Sequence, residues 1–148
     1  MPQTGGDLGE RMEQSFVRVF SEGCREAILI GSDIPGLSSG TVREAFASLA
    51  EHGAVIGPAN DGGYYLIGFS REAFYPEIFH SMPWSTPAVF RETLGRFATA
   101  SRLVSVLPEH IDADTREDLI ALLRRQEGLT ASSRTLSLLI QHRRSFVE

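Results

Sequence analysis

Three short apolar runs in this chain each lead into carboxylates. Asp33 follows Ala27-Ile28-Leu29-Ile30, Asp61 follows Ala54-Val55-Ile56-Gly57-Pro58, and Asp112 and Asp114 follow residues 103–107 at a similar offset. If these runs are strands of one open α/β sheet, a ligand is expected beyond their carboxyl ends, and the three acidic points converge on one rim. Carboxylates gathered in that way repel one another unless a cation joins them. Hard oxygen ligands suit Mg²⁺ or Mn²⁺, which bind through one or two carboxylates plus substrate phosphates. Such an ion neutralises a leaving diphosphate and stabilises charge as it develops. Part of the pattern has a plainer cause. All six aspartates lie in Gly-rich or strand-end segments, and Asp disfavours helix interiors in any protein. The Asp61-Gly62-Gly63 turn also has two compatible readings, a hairpin between strands and a close backbone approach to a ligand.

The elements that must position these groups alternate in type. Leu8, Met12, Phe16 and Phe20 recur at four-residue spacing and predict an amphipathic helix ended by Gly23. The run at 27–30 reads as a strand buried on both faces, as in a parallel sheet covered by helices. Ser38 or Ser39 can cap the next helix, with Val42, Phe46 and Leu49 facing inward. Strands are expected at 54–58, 64–69 and 103–107. A short helix is expected over 71–79 and a longer one from Trp84-Ser85-Thr86-Pro87, with Val89, Phe90, Leu94 and Phe97 on one side. Thr115-Arg116-Glu117-Asp118 resembles a capping box before Leu119. A linker-like stretch at 128–133 precedes a last helix over 134–146. The class is α/β with a mainly parallel sheet, in a single domain over residues 1–148.

With 148 residues, 42% hydrophobic and 22% charged, the chain falls in the ordinary globular range. A net charge of -5 argues against a nucleic-acid partner. No stretch approaches the ~20 apolar residues of a membrane span, and the N-terminus lacks the regions of a signal peptide. With the lone Cys24 unable to form an internal disulfide, a cytoplasmic location is expected. All fourteen basic residues are arginine.

Five motifs, in order, carry a resemblance. They are Pro2-Gln3-Thr4-Gly5-Gly6-Asp7-Leu8-Gly9-Glu10-Arg11-Met12, then Ile30-Gly31-Ser32-Asp33-Ile34-Pro35, then Gly57-Pro58-Ala59-Asn60-Asp61-Gly62-Gly63-Tyr64-Tyr65-Leu66-Ile67-Gly68, then Trp84-Ser85-Thr86, and Asp112-Ala113-Asp114-Thr115-Arg116-Glu117-Asp118-Leu119. Together they resemble a bacterial glycosyltransferase-like family, the transferases associated with radical-SAM or selenium-related proteins. That family has the GT-A, or nucleotide-diphospho-sugar transferase, fold. The resemblance runs from Pro2 to Leu119; residues 1–127 form the family-like region, and 128–148 add a linker and an extra helix.

The resemblance implies roles residue by residue. Asp33 stands at the metal position of the DXD type, beside Ser32, and would hold Mg²⁺ or Mn²⁺ against a nucleotide diphosphate. Asp114 matches a second metal position, with Asp112 as its substitute; a cap for the following helix is the competing role of Asp114. Gln3 and Gly6 sit like base-reading residues, with Asp7 and Arg11 close by, although Arg11 equally suits a helix surface. Asp61, Gly62, Gly63 and Tyr64 would face sugar or acceptor, Asp61 as the base of an inverting enzyme. Trp84, Ser85 and Thr86 would line the acceptor side. Family members begin with a strand and a Gly-rich loop that nothing before Pro2 supplies. A natural truncation or a misassigned start, an exposed sheet edge and association of two copies through that edge are therefore expected. The function expected is metal-dependent glycosyl transfer from a nucleoside-diphosphate sugar. A nucleotidyltransferase of the same fold and a catalytically inactive binding module are the alternatives.

Overall fold

The computed structural model describes residues 6–111, 113, 115–125 and 134–142. Helix α1 (Leu8–Ser21) starts where Asp7 caps it, its carboxylate accepting from the Glu10 N–H at 2.8 Å. Strand β1 (Glu26–Ile30) leads to helix α2 (Ser39–His52), capped by the Ser38 hydroxyl, which accepts from the Thr41 N–H at 3.0 Å. Strands β2 (Ala54–Pro58) and β3 (Tyr64–Ser70) follow, then a 3-10 turn (Pro76–Phe79) and helix α3 (Val89–Thr99). Strand β4 (Ser105–Val106) and helices α4 (Arg116–Arg125) and α5 (Arg134–Gln141) complete the order.

The sheet order is β1-β3-β2-β4, with β3 antiparallel to both β1 and β2, and β4 parallel to β2. The expectation of a mainly parallel sheet is thus corrected to a mixed one. The physical reason is the Asp61-Gly62 turn. A loop this short can return the chain only antiparallel, and Ala59 and Gly63 close it with a backbone hydrogen bond of 3.1 Å. Because β1, β2 and β4 share a direction, their carboxyl ends and the start of β3 lie on one rim. Among the described residues no strand pairs with the outer side of β1.

Helices cover both faces. On one face Phe16 and Phe20 of α1, Phe79 of the 3-10 turn and Phe97 of α3 pack with Ile56, Ile67 and Phe69. Phe16 meets Phe69 edge to face with centroids 5.1 Å apart, and each such ring buried contributes about 1.5–3 kcal/mol. On the other face Ala45 and Leu49 of α2 pack with Val55, Leu66 and Leu107.

Several local expectations shift. The helix over 71–79 contracts to the 3-10 turn, and the strand at 103–107 to two residues, with Leu103 72% exposed. Phe46 does not face inward. It is 38% exposed, whereas Ala45 is fully buried, because close approach of α2 to the sheet admits a methyl and not a ring. The last helix ends at Gln141. Thr115 and Asp118 do form the reciprocal capping box, the Asp118 carboxylate accepting from the Thr115 N–H at 2.9 Å and the Thr115 hydroxyl accepting from the Asp118 N–H at 3.2 Å. Among the described residues no helix is long and apolar enough to cross a membrane.

Candidate functional site

Two adjoining grooves open at the rim, with Leu8 and Tyr64 lining both. The first, about 520 Å³, runs between α1 and β1, with Arg11 and Ser15 on one wall and Gly31, Ser32 and Asp33 on the other. The second, about 490 Å³, lies between the β2–β3 turn and the loop before α3, and takes in Asp61, Gly63, Trp84, Ser85 and Thr86. The residues singled out from sequence therefore divide between two spaces. Gly6 and Asp7 line neither: Asp7 caps α1, and the Gly6 N–H is held by the Glu10 carboxylate. Gln3, Asp112 and Asp114 lie outside the described residues.

In the first groove, Asp33 is exposed just beyond the end of β1, and its carboxylate has no hydrogen-bond or ion-pair partner among the described residues. Its main chain is anchored, because the Ala113 N–H donates to the Asp33 carbonyl at 3.1 Å and the Gly31 N–H to the Tyr65 carbonyl at 2.9 Å. Arg11 projects from α1 into the same space, with a buried Nε that lacks a hydrogen-bond partner. Asp33 and Arg11 share a groove but do not pair. Tyr65, on the floor, is committed elsewhere. Its hydroxyl donates to the Pro108 carbonyl at 3.2 Å, its ring stands edge-on to His110 at 4.7 Å, and burial, reinforced by the charge of Glu44, pushes its pKa up to about 12.

The second groove uses its carboxylate and its threonine hydroxyl internally. Asp61 accepts from the Gly63 N–H at 2.8 Å, fixing the turn. Gly62 has φ +89°, and its carbonyl accepts from the Phe90 N–H at 2.9 Å, so the turn is fastened to α3. The Thr86 hydroxyl donates to the Pro83 carbonyl at 2.8 Å. Ser85 holds φ +62°, in a region uncommon for a residue with a side chain. Trp84 stands edge-on to Tyr64 at 6.4 Å and closes against Gly9, where a Cβ would lie 2.8 Å from the indole. The Trp84 Nε1 and the Tyr64 hydroxyl are buried without hydrogen-bond partners. Burial raises the Tyr64 pKa well above the usual phenol value against a smaller opposing effect of the neighbouring Thr93 hydroxyl, which itself donates to the Val89 carbonyl at 2.8 Å. Native interiors leave few polar atoms unpaired, and three around Leu8 mark this corner of the molecule.

Asp33 is the carboxylate that lines the first groove. Among the described residues no three His, Cys, Asp or Glu side chains group together, yet Mg²⁺ and Mn²⁺ need only one or two carboxylates when a substrate phosphate supplies the other oxygens. Asp33 offers one unpaired carboxylate, and Arg11 offers a cationic partner for a phosphate. Sequence reasoning missed Asn60, which ties the β2–β3 turn to α4 through Asp118 at 3.3 Å. The only signal was an amide side chain directly after an apolar strand.

The chain shares its fold with a crystal structure from Desulfovibrio desulfuricans G20 described as a "putative nucleotide-diphospho-sugar transferase". Identity is 37%, the TM-score is 0.92, and the match covers 98% of this chain and 63% of that one. This chain therefore spans less than two thirds of that protein's length. No curated protein matches it. A family model described as "Uncharacterized protein conserved in bacteria (DUF2064)" matches residues 1–86, more than half of the chain, and it is to this family that the chain belongs.

Proposed function

We propose that this chain carries the diphosphate-binding part of a metal-dependent glycosyltransferase of GT-A type that uses a nucleoside-diphosphate sugar. The observation that carries the reading is the unpaired Asp33 carboxylate and the unpaired Arg11 Nε in the lining of one groove at the carboxyl end of β1. The 37% identical solved structure supports it. In this reading Asp33, with Asp114 or Asp112, holds Mg²⁺ or Mn²⁺, and Arg11 contacts a phosphate oxygen. The bound ion would neutralise the leaving nucleoside diphosphate. Leu8 and Tyr64, common to both grooves, set donor beside acceptor. Asp61 faces the second groove as the candidate base, and Trp84, Ser85 and Thr86 flank the acceptor.

Thermal melting with a panel of nucleoside-diphosphate sugars, with and without Mn²⁺, tests the reading, because a ligand bound only to the folded state raises the melting temperature. The rise is expected only with Mn²⁺ and is expected to vanish in Asp33→Ala, whose ligand-free stability stays within about 0.5 kcal/mol of the parent, as for an exposed substitution. Arg11→Leu is expected to weaken the rise while keeping its Mn²⁺ dependence. Equal shifts with and without Mn²⁺, or an Asp33→Ala protein that responds like the parent, would end the proposal.

A further inference from the structure

The segment after β4 is fastened to the rim at successive points. The His110 N–H donates to the Pro58 carbonyl and the Asn60 N–H to the His110 carbonyl, both at 3.1 Å. The Ala113 N–H then holds the Asp33 carbonyl at 3.1 Å. Beyond it, the Asn60 amide donates to one oxygen of Asp118 at 3.3 Å, while the other oxygen accepts the Thr115 N–H at 2.9 Å and the Thr115 hydroxyl at 2.6 Å. One carboxylate thus closes the cap of α4 and docks that cap on the β2–β3 turn. Asn60 and Asp61 are neighbours with different tasks: the amide reaches out to α4, and the carboxylate turns back to Gly63.

We infer that Asn60 is a positioning residue. Through Asp118 it holds Thr115 and the start of α4 against the rim, so that the Ala113 N–H fixes the backbone of Asp33 and aims that carboxylate into the first groove. Asn60 touches no ligand in this account. It must be a donor, because Asp118 is acceptor-only when ionised, and a carboxylate at position 60 would meet a like charge at hydrogen-bonding distance. The consequence for ligand affinity rests on the proposed role of Asp33; the clamp itself does not.

The test is a polarity swap read in two ways. Amide hydrogen exchange at Ala113 reports the clamp without any ligand, and the electron paramagnetic signal of free Mn²⁺, titrated with protein and uridine or guanosine diphosphate, reports the site. Asn60→Asp is expected to speed Ala113 exchange and to weaken Mn²⁺-diphosphate binding about tenfold, the lower range for loss of an outer-shell partner. Adding Asp118→Asn restores a donor opposite the new carboxylate and keeps an acceptor for Thr115, so both readings are expected to return towards the parent. A role in stability alone would not require the swap to restore affinity. Unchanged Ala113 exchange in Asn60→Asp, or a swap that restores the melting temperature but not the exchange, overturns the inference. If the parent binds no Mn²⁺-diphosphate, the transferase reading falls, and Ala113 exchange alone decides the clamp.

Discussion

The two grooves share Leu8 and Tyr64, yet they treat their aspartates in opposite ways. In the second, Asp61 and Thr86 are bonded to the loops that carry them. In the first, the Asp33 carboxylate is exposed without a partner, and the Arg11 Nε is buried without one. Burying a guanidinium nitrogen without a partner costs free energy, and building a turn from a carboxylate recovers some. A motif residue can therefore be retained for architecture in one groove and held ready for a ligand in the other. Substitutions should separate these tasks: those in the second groove should register first as stability, and those in the first as binding.

The largest effect is expected at Gly62. A Cβ there would lie 2.4 Å from the Pro87 carbonyl oxygen and 2.6 Å from the Pro87 Cα, at a backbone with φ +89°. Neither obstacle is a flexible side-chain end, so the turn or the start of α3 must move. Gly62→Ala is expected to cost about 3 kcal/mol or more, combining left-handed strain with overpacking, read as a lowered urea midpoint at unchanged m-value. The matched change in the first groove, Gly31→Ala, places its Cβ 3.0 Å from Asp33 Oδ1, the end of a side chain that can swing away. A loss at position 31 as large as at position 62 would erase the contrast between the grooves.

The same division decides what could be read from the sequence. Caps at Ser38 and Thr115 were legible because each bond closes within three residues, whereas Asp7, grouped by resemblance with the base-reading residues, caps α1. The apolar runs that became β1, β2 and β3 were legible from composition. Strand direction was not, because the run at 27–30 looks alike in parallel and antiparallel company, and only the short turn at Asp61-Gly62 forces β3 to reverse. Hydrophobicity alone points Phe46 inward, whereas helix–sheet distance selects Ala45. The tie from Asn60 to Asp118 spans 58 residues and left no local trace. For the site, Asp33 and Arg11 were picked out one by one, but their sharing of a groove is a property of the fold.

Next in size is Asp61, where the two tasks compete in one side chain. Asparagine preserves an oxygen for the Gly63 N–H and removes the charge; alanine removes both. If the carboxylate serves as base, Asp61→Asn should keep the parent melting temperature and lose transfer activity by 10²–10⁴-fold, the range for a general base. Asp61→Ala should lose the activity and also about 1 kcal/mol of stability with the turn bond. Full activity in Asp61→Asn would leave the residue with the turn alone, and the second groove would then be architectural throughout.

The smallest effect belongs to Tyr65, which lines the first groove but is not among its free groups. Its hydroxyl is spent on Pro108, so Tyr65→Phe should leave Mn²⁺-diphosphate affinity unchanged and cost about 1 kcal/mol. Its pKa supplies an independent reading. Burial first, then the charge of Glu44, raises the folded value to about 12 from the phenol value of 10.0. Between those values the unfolded chain has released the proton and the folded chain retains it. The unfolded state then binds fewer protons, and stability falls as pH rises. The contribution is complete below pH 10 and is lost as pH climbs towards 12. Tyr65→Phe cannot titrate, so its unfolding free energy should decline less over that window than the parent's. Tyr64, whose phenol is also raised by burial, leaves a residual slope in the variant. Identical alkaline profiles for parent and variant would mean that the Tyr65 hydroxyl reaches water, and that the first groove holds a third free polar group beside Arg11 and Asp33.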